Sequence, residues 1–158
     1  MRKIILGTMF AILCISCKPS QSVTSTKIDD KSQVAIKGDW KITKVSFVGD
    51  EVMKVTSFDV ADSKCFEGSV WRFISMSNKG TMLLAQKGCP EYSSPITWFI
   101  NKEGQFVLKI LDNAKAKTVT NGYVLRIANQ TSNSFQLVDK VMIGKNAADV
   151  VYQFEKFK

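Results

Sequence analysis

The sequence predicts an all-β protein: an eight-stranded up-and-down antiparallel barrel, preceded by a signal peptide and a flexible tether. Three observations carry that prediction. After Lys37, apolar residues come in eight short runs rich in aromatic and β-branched side chains. Several runs alternate with a period of two, the pattern of strands that bury one face. The gaps between runs hold Gly, Asn, Ser and Asp, the residues that tight turns require. Eight strands are enough to close a sheet on itself, which removes exposed edges.

The chain opens with Arg2 and Lys3, followed by an apolar run from Ile4 to Ile15 that only Gly7 and Thr8 interrupt. A charged start, a short apolar core and a small residue before the cut mark a secretory signal. The run is too short to span a bilayer, which takes about 20 apolar residues. Leu13-Cys14-Ile15-Ser16-Cys17 resembles a bacterial lipobox, in which a small residue precedes the cysteine that becomes lipidated. Ser16 fills that place before Cys17, whereas Cys14 follows the bulky Leu13, so Cys17 is the expected lipidation site. Several acyl chains on one terminus give a stable membrane anchor. Residues 1–17 are thus read as signal peptide. Residues 18–36, polar and without apolar periodicity, are read as a tether, and 37–158 as the barrel domain.

The eight runs follow in order. Asp39 to Val48 is the first and Ser69 to Met76 the second. Asn78-Lys79-Gly80 reads as a turn into the third, Thr81 to Gln86. Cys89 to Pro95 reads as a loop before the fourth, Ile96 to Ile100. Asn101-Lys102-Glu103-Gly104 is a hairpin turn into the fifth, Gln105 to Leu111. Tyr123 to Asn129, Ser134 to Lys140 and Asp149 to Phe157 complete the set. Phe106, Leu108 and Ile110 share one face, as do Tyr123, Leu125 and Ile127; Phe135 and Leu137; and Val150, Tyr152 and Phe154. Trp71 and Phe73 share a face of the second run, and that run alone does not say which face is inward. Asp50 to Lys64 is ambiguous, and Ala114 to Lys117 allows one turn of helix.

Composition narrows the chemistry. The net charge is +8, falling to about +6 once Arg2 and Lys3 leave with the signal. The lysines are scattered, which describes a solvated basic surface, and export argues against a nucleic-acid partner. Histidine is absent, removing the commonest general base and metal ligand together. Cys65 and Cys89 remain in the domain as a disulfide pair expected of an oxidising compartment. No metal or cofactor site is read, because a zinc site needs four ligands and no CxxC is present. Asp59, Asp62, Glu67 and Glu91 lack the spacing of a glycosidase pair or a calcium loop and read as a solvated loop.

Gly38-Asp39-Trp40, where the first strand opens, resembles the lipocalin signature whose Trp plugs the closed end of the barrel. The stretch from Phe58 to Phe73, with Ile96-Thr97-Trp98, Gly122 to Gln130 and Asn133 to Val138, resembles the lipocalin-like lipoproteins of Bacteroidetes-type bacteria. The resemblance spans roughly Lys37 to Phe157. It implies an eight-stranded lipocalin-like barrel with a lipid anchor, and leaves the ligand open. Trp40, Trp71, Phe73, Trp98, Phe106, Leu108, Tyr123, Leu125, Phe135 and Tyr152 are the residues expected to form either a core or a ligand-binding wall. An eight-stranded barrel is wide enough for filling side chains or for one small ligand. Arg72 or Arg126 is placed either over Trp40, as an arginine is in lipocalins, or outward in solvent. The leading expectation is a monomeric, non-enzymatic binder or carrier of a small hydrophobic molecule. The alternative is a structural or protein- or glycan-interaction lipoprotein with a solid barrel. Lys18-Pro19-Ser20-Gln21-Ser22 lacks the acidic residues that follow the lipidated cysteine in surface-exposed relatives. The expected location is therefore the outer membrane, facing the periplasm.

Overall fold

The computed structural model describes residues 35–48, 54–112, 114–115, 117–120 and 122–157. The signal peptide, Cys17 and the tether up to residue 34 lie outside the described residues. The barrel strands are β1 (Gly38–Val48), β4 (Val70–Ile74), β5 (Lys79–Leu84), β6 (Tyr92–Ile100), β7 (Phe106–Ile110), β8 (Tyr123–Ala128), β9 (Ser134–Ile143) and β10 (Asn146–Lys156). Two short strands, β2 (Thr56–Ser57) and β3 (Ala61–Asp62), form a separate hairpin, and a 3-10 turn covers Ser63–Phe66. Each barrel strand pairs antiparallel with its sequence neighbour, and β1 closes the ring by pairing with both β10 and β4. This is the closed eight-stranded meander that the sequence predicts.

Alternation along each strand decides what fills the barrel. Trp40 and Ile42, Trp71 and Phe73, Met82 and Leu84, Ile96 and Trp98, Phe106 and Leu108, Leu125 and Ile127, Phe135 and Leu137, and Tyr152 and Phe154 all turn inward and are buried. Trp71 and Phe73 therefore occupy the inward face, with Arg72 outside, paired to Asp39 at 2.6 Å. A shift of register between Ile42 and Lys44 re-aims β1. Beyond it the backbone N–H of Val45 donates to the Glu67 carboxylate at 2.8 Å. One face of β1 thus leaves the β4 ladder and takes the segment before β4 as its neighbour.

Four boundaries differ from the sequence reading. Ile36, placed in the tether, is fully buried at the barrel's base, where its carbonyl accepts the Trp40 indole N–H at 2.7 Å. Lys79 and Gly80 belong to β5, since Ile74 pairs with Lys79 and the turn falls at Ser75 to Asn78. Gly80 is needed there because a Cβ would lie 2.1 Å from the Arg72 carbonyl oxygen. β6 begins at Tyr92 rather than Ile96, with Pro95 opposite Thr81 in the β5–β6 ladder. β9 and β10 meet in a tight hairpin, Ile143 opposite Asn146, so the last two strands run past the expected ends. Gly144 at φ 61° makes that turn.

Candidate functional site

The two ends of the barrel are built differently. At the base, Phe135 and Phe154 stack with ring centroids 4.6 Å apart, and Trp40 meets Phe135 edge-on at 4.7 Å. Phe73 touches Trp98, Phe106, Phe135 and Phe154 within 6.5 Å. Trp98 stacks on Phe106 at 5.5 Å. Each tryptophan N–H is already used: Trp40 by Ile36 O, Trp98 by Lys79 O at 3.0 Å, and Trp71 by Ser69 Oγ at 2.9 Å. These rings form a packed core with its donors satisfied, so Trp40, Trp98, Phe73, Phe106 and Phe135 serve the fold. Neither arginine lies over Trp40. Lys156 takes that place, its Nζ 5.5 Å from the ring centroid, while Arg126 faces outward and pairs with Asp149 at 3.3 Å. Register explains this: β10 ends beside Trp40, and Trp40 is paired with Lys156.

The opposite end, the mouth, is covered by the β2–β3 hairpin. Its tip residues Phe58 and Asp59 both adopt left-handed backbone, φ 55° and 54°. Two successive non-glycine residues in that region are strained, each by an amount of order 1 kcal/mol. The geometry points Phe58 down into the barrel, where it is 6% exposed. Its ring lies 5.1 Å from Tyr123, 5.2 Å from Phe66, 5.3 Å from Tyr152 and 6.3 Å from Trp71. Two hydrogen bonds fasten the hairpin to the wall. Tyr152 donates its hydroxyl to Ser57 Oγ at 2.5 Å, and Tyr123 donates to Asp59 at 2.9 Å. The disulfide Cys65–Cys89, Cα atoms 5.6 Å apart, ties the 3-10 turn to the loop after β5. The sequence pairing of these cysteines is therefore observed. Asp59 is exposed, as its reading as part of a solvated loop expects, and its carboxylate also accepts from Tyr123.

Of the ten predicted wall residues, nine are buried and Tyr123 is half-buried at the mouth. Tyr123, Tyr152 and Trp71 are the ones the structure brings together around Phe58. Leu108 and Leu125 line the wall between the two ends. Sequence reasoning missed Phe58, Ser57 and Asp139. Asp139 continues the inward row of β9: Phe135 faces Phe154, Leu137 faces Tyr152, and Asp139 faces the buried Val150. Its carboxylate is half-buried and has no hydrogen bond or ion pair to any described residue. Burial, and then the charge of Asp149, hold it above the usual carboxylate range. Burial chiefly raises the Tyr123 hydroxyl, with its bond to Asp59 next and the charges of Asp59, Tyr92 and Asp139 adding to it. Burial likewise raises Tyr152, assisted by Asp139 and opposed by the bond to Ser57. Asp139 is thus an electrostatic neighbour of both phenols. Among the described residues no three His, Cys, Asp or Glu side chains gather as a metal site.

Outside the barrel, a groove of about 460 Å³ runs over Pro95, Ile96, Leu111 and Ala114 and is rimmed by Lys79, Lys115 and Lys117.

Comparison with known proteins adds little beyond this geometry. No family model matches the chain, and no curated protein does. Among solved structures the chain is similar to bovine odorant binding protein in complex with a selenium-containing odorant. The identity is 8%, the TM-score is 0.45, and the match covers 85% of this chain and 78% of that one.

Proposed function

We propose that this protein is a lipid-anchored envelope protein, tethered through Cys17, whose barrel binds or carries a small hydrophobic molecule at its mouth. The observation that carries the reading is the contrast between a solid base and a mouth covered, among the described residues, by a strained hairpin and the Ser63–Phe66 turn that follows it. Phe58, an aromatic side chain from that hairpin, already occupies an apolar space lined by Phe66, Trp71, Tyr123 and Tyr152. A ligand of similar size and character would take its place once the hairpin lifts. The lipobox-like segment supports an outer-membrane location, and the disulfide supports an oxidising, periplasm-facing compartment. Absence of histidine supports a binding role over an enzymatic one.

A second reading has its own observation. The lysine-rimmed groove on the outer wall suits an acidic protein or glycan partner, with the barrel as an inert scaffold. Native mass spectrometry of the full chain purified from bacterial membranes separates the two. The first reading expects a non-covalent extra mass that organic solvent releases, together with acyl mass that stays on Cys17. A barrel bare of any releasable mass, with a protein or glycan crosslinked through Lys79, Lys115 or Lys117 in cells, would replace it with the second. A Cys17 terminus carrying no acyl mass would overturn the anchor.

A further inference from the structure

Asp139 is the exception in the barrel's inward rows. The same face of β9 carries Phe135 and Leu137, and the strand opposite presents Tyr152 and Val150. A half-buried carboxylate in such surroundings loses hydration, and proteins offset that loss with a counter-charge or hydrogen bonds. None comes from the described residues. Arg126 is engaged with Asp149 on the outer face, Lys64 with Glu67, and Arg72 with Asp39. The neighbouring Lys140 is exposed. The groups nearest in charge are a further carboxylate, Asp149, and the phenols of Tyr123 and Tyr152, which supply no cation.

We propose that the mouth of the barrel selects ligands bearing a protonated amine, with Asp139 as the counter-ion and the rings of Tyr123, Tyr152 and Trp71, which surround the place Phe58 vacates, as the apolar and cation–π wall. This rests on the mouth-binding reading and names its ligand class. An ammonium supplies the missing counter-charge to Asp139 and finds the negative faces of aromatic rings around it. A carboxylate-bearing ligand meets like charge from Asp139 and Asp59, and a neutral one leaves Asp139 unpaired. Charge at this position therefore discriminates in the same direction against both.

The test uses three probes of one shape on the full chain: 2-phenylethylamine, 2-phenylethanol and phenylacetate. Binding is followed by tryptophan fluorescence, since Trp71 lies 6.3 Å from the Phe58 ring that the probe would displace, and by calorimetry. Charge-assisted pairing predicts that the amine binds at least about tenfold tighter than the alcohol, with phenylacetate weakest. In Asp139→Asn the amine-to-alcohol ratio falls close to one. In Asp59→Asn, which removes a mouth charge that is already bonded to Tyr123, the amine preference persists. Alcohol binding as tightly as amine to the wild type would overturn the amine assignment and leave the mouth-binding reading standing. Failure of all three probes at millimolar concentration would overturn both. A preference lost equally in Asp59→Asn and Asp139→Asn would reassign it to the general negative field of the mouth.

Discussion

The base and the mouth of this barrel are made from the same strands yet follow opposite rules. At the base every inward side chain is apolar, the tryptophan donors are matched, and Ile36 seals the end beneath Trp40. At the mouth two residues sit in left-handed backbone, and among the described residues the buried Ser63 Oγ and the half-buried Asp139 carboxylate have no hydrogen-bond partner. Each of these costs stability, of order 1–3 kcal/mol for an unmade buried hydrogen bond alone. A fold keeps such costs in one place when that place does something other than hold the fold together. The base supplies the stability that lets the mouth remain strained.

The comparison predicts a ranked set of effects. Truncating Phe73→Ala removes a ring that touches five others, Trp71 among them, and should cost about 3–5 kcal/mol in a denaturant titration. A loss below 1 kcal/mol would mean that the base is loosely packed. Replacing both cysteines, Cys65→Ser with Cys89→Ser, should cost about 2–4 kcal/mol and loosen the mouth more than the base. Equal loosening of both ends, read by hydrogen exchange, would erase the distinction.

The smallest effect has the opposite sign. The folded pKa of Asp139 lies above its unfolded value, so the native state holds that proton more tightly. Its contribution to stability is full below the unfolded pKa of about 3.9 and is lost as pH rises through the folded pKa. Asp139→Asn should therefore stabilise the protein at neutral pH, by less than about 1 kcal/mol because solvent screens a half-exposed group. The gain should disappear in acid, where the wild-type carboxyl is protonated. A variant less stable than wild type at pH 7 would show that Asp139 has a partner in the fold.

Most of the barrel was legible in the sequence because alternation is a local signal. Phe106-Leu108, Tyr123-Leu125-Ile127 and Val150-Tyr152-Phe154 each show it within a few residues. The cysteine pair was legible from compartment and count. Less legible were features that depend on distant partners. Ile36 looks like tether until Trp40 needs a carbonyl to receive its N–H. Phe58 lies in a segment with no period, and only the closed ring above it makes it a plug. Pro95 discouraged a strand, although β6 carries it opposite Thr81. Asp139 did leave a trace: it follows Phe135 and Leu137 at a spacing of two, which places a carboxylate on an inward face. An interrupted alternation of that kind marks a site better than the count of acidic residues near Cys65, where Asp62 caps the 3-10 turn and Glu67 pairs with Lys64.

The central claim is that the hairpin at the mouth opens without the barrel unfolding, and native-state hydrogen exchange of the full chain tests it most directly. The Val60 and Ser63 amides, bonded within the hairpin segment at 3.0 and 2.7 Å, report the mouth. The β1–β10 ladder around Trp40 and Phe154 reports the base. The account predicts that the hairpin amides exchange through a local opening well below the free energy of global unfolding, while the base ladder exchanges only with global unfolding. Exchange of both sets at the same free energy would contradict it, and would make the barrel a single solid body with no mouth to open.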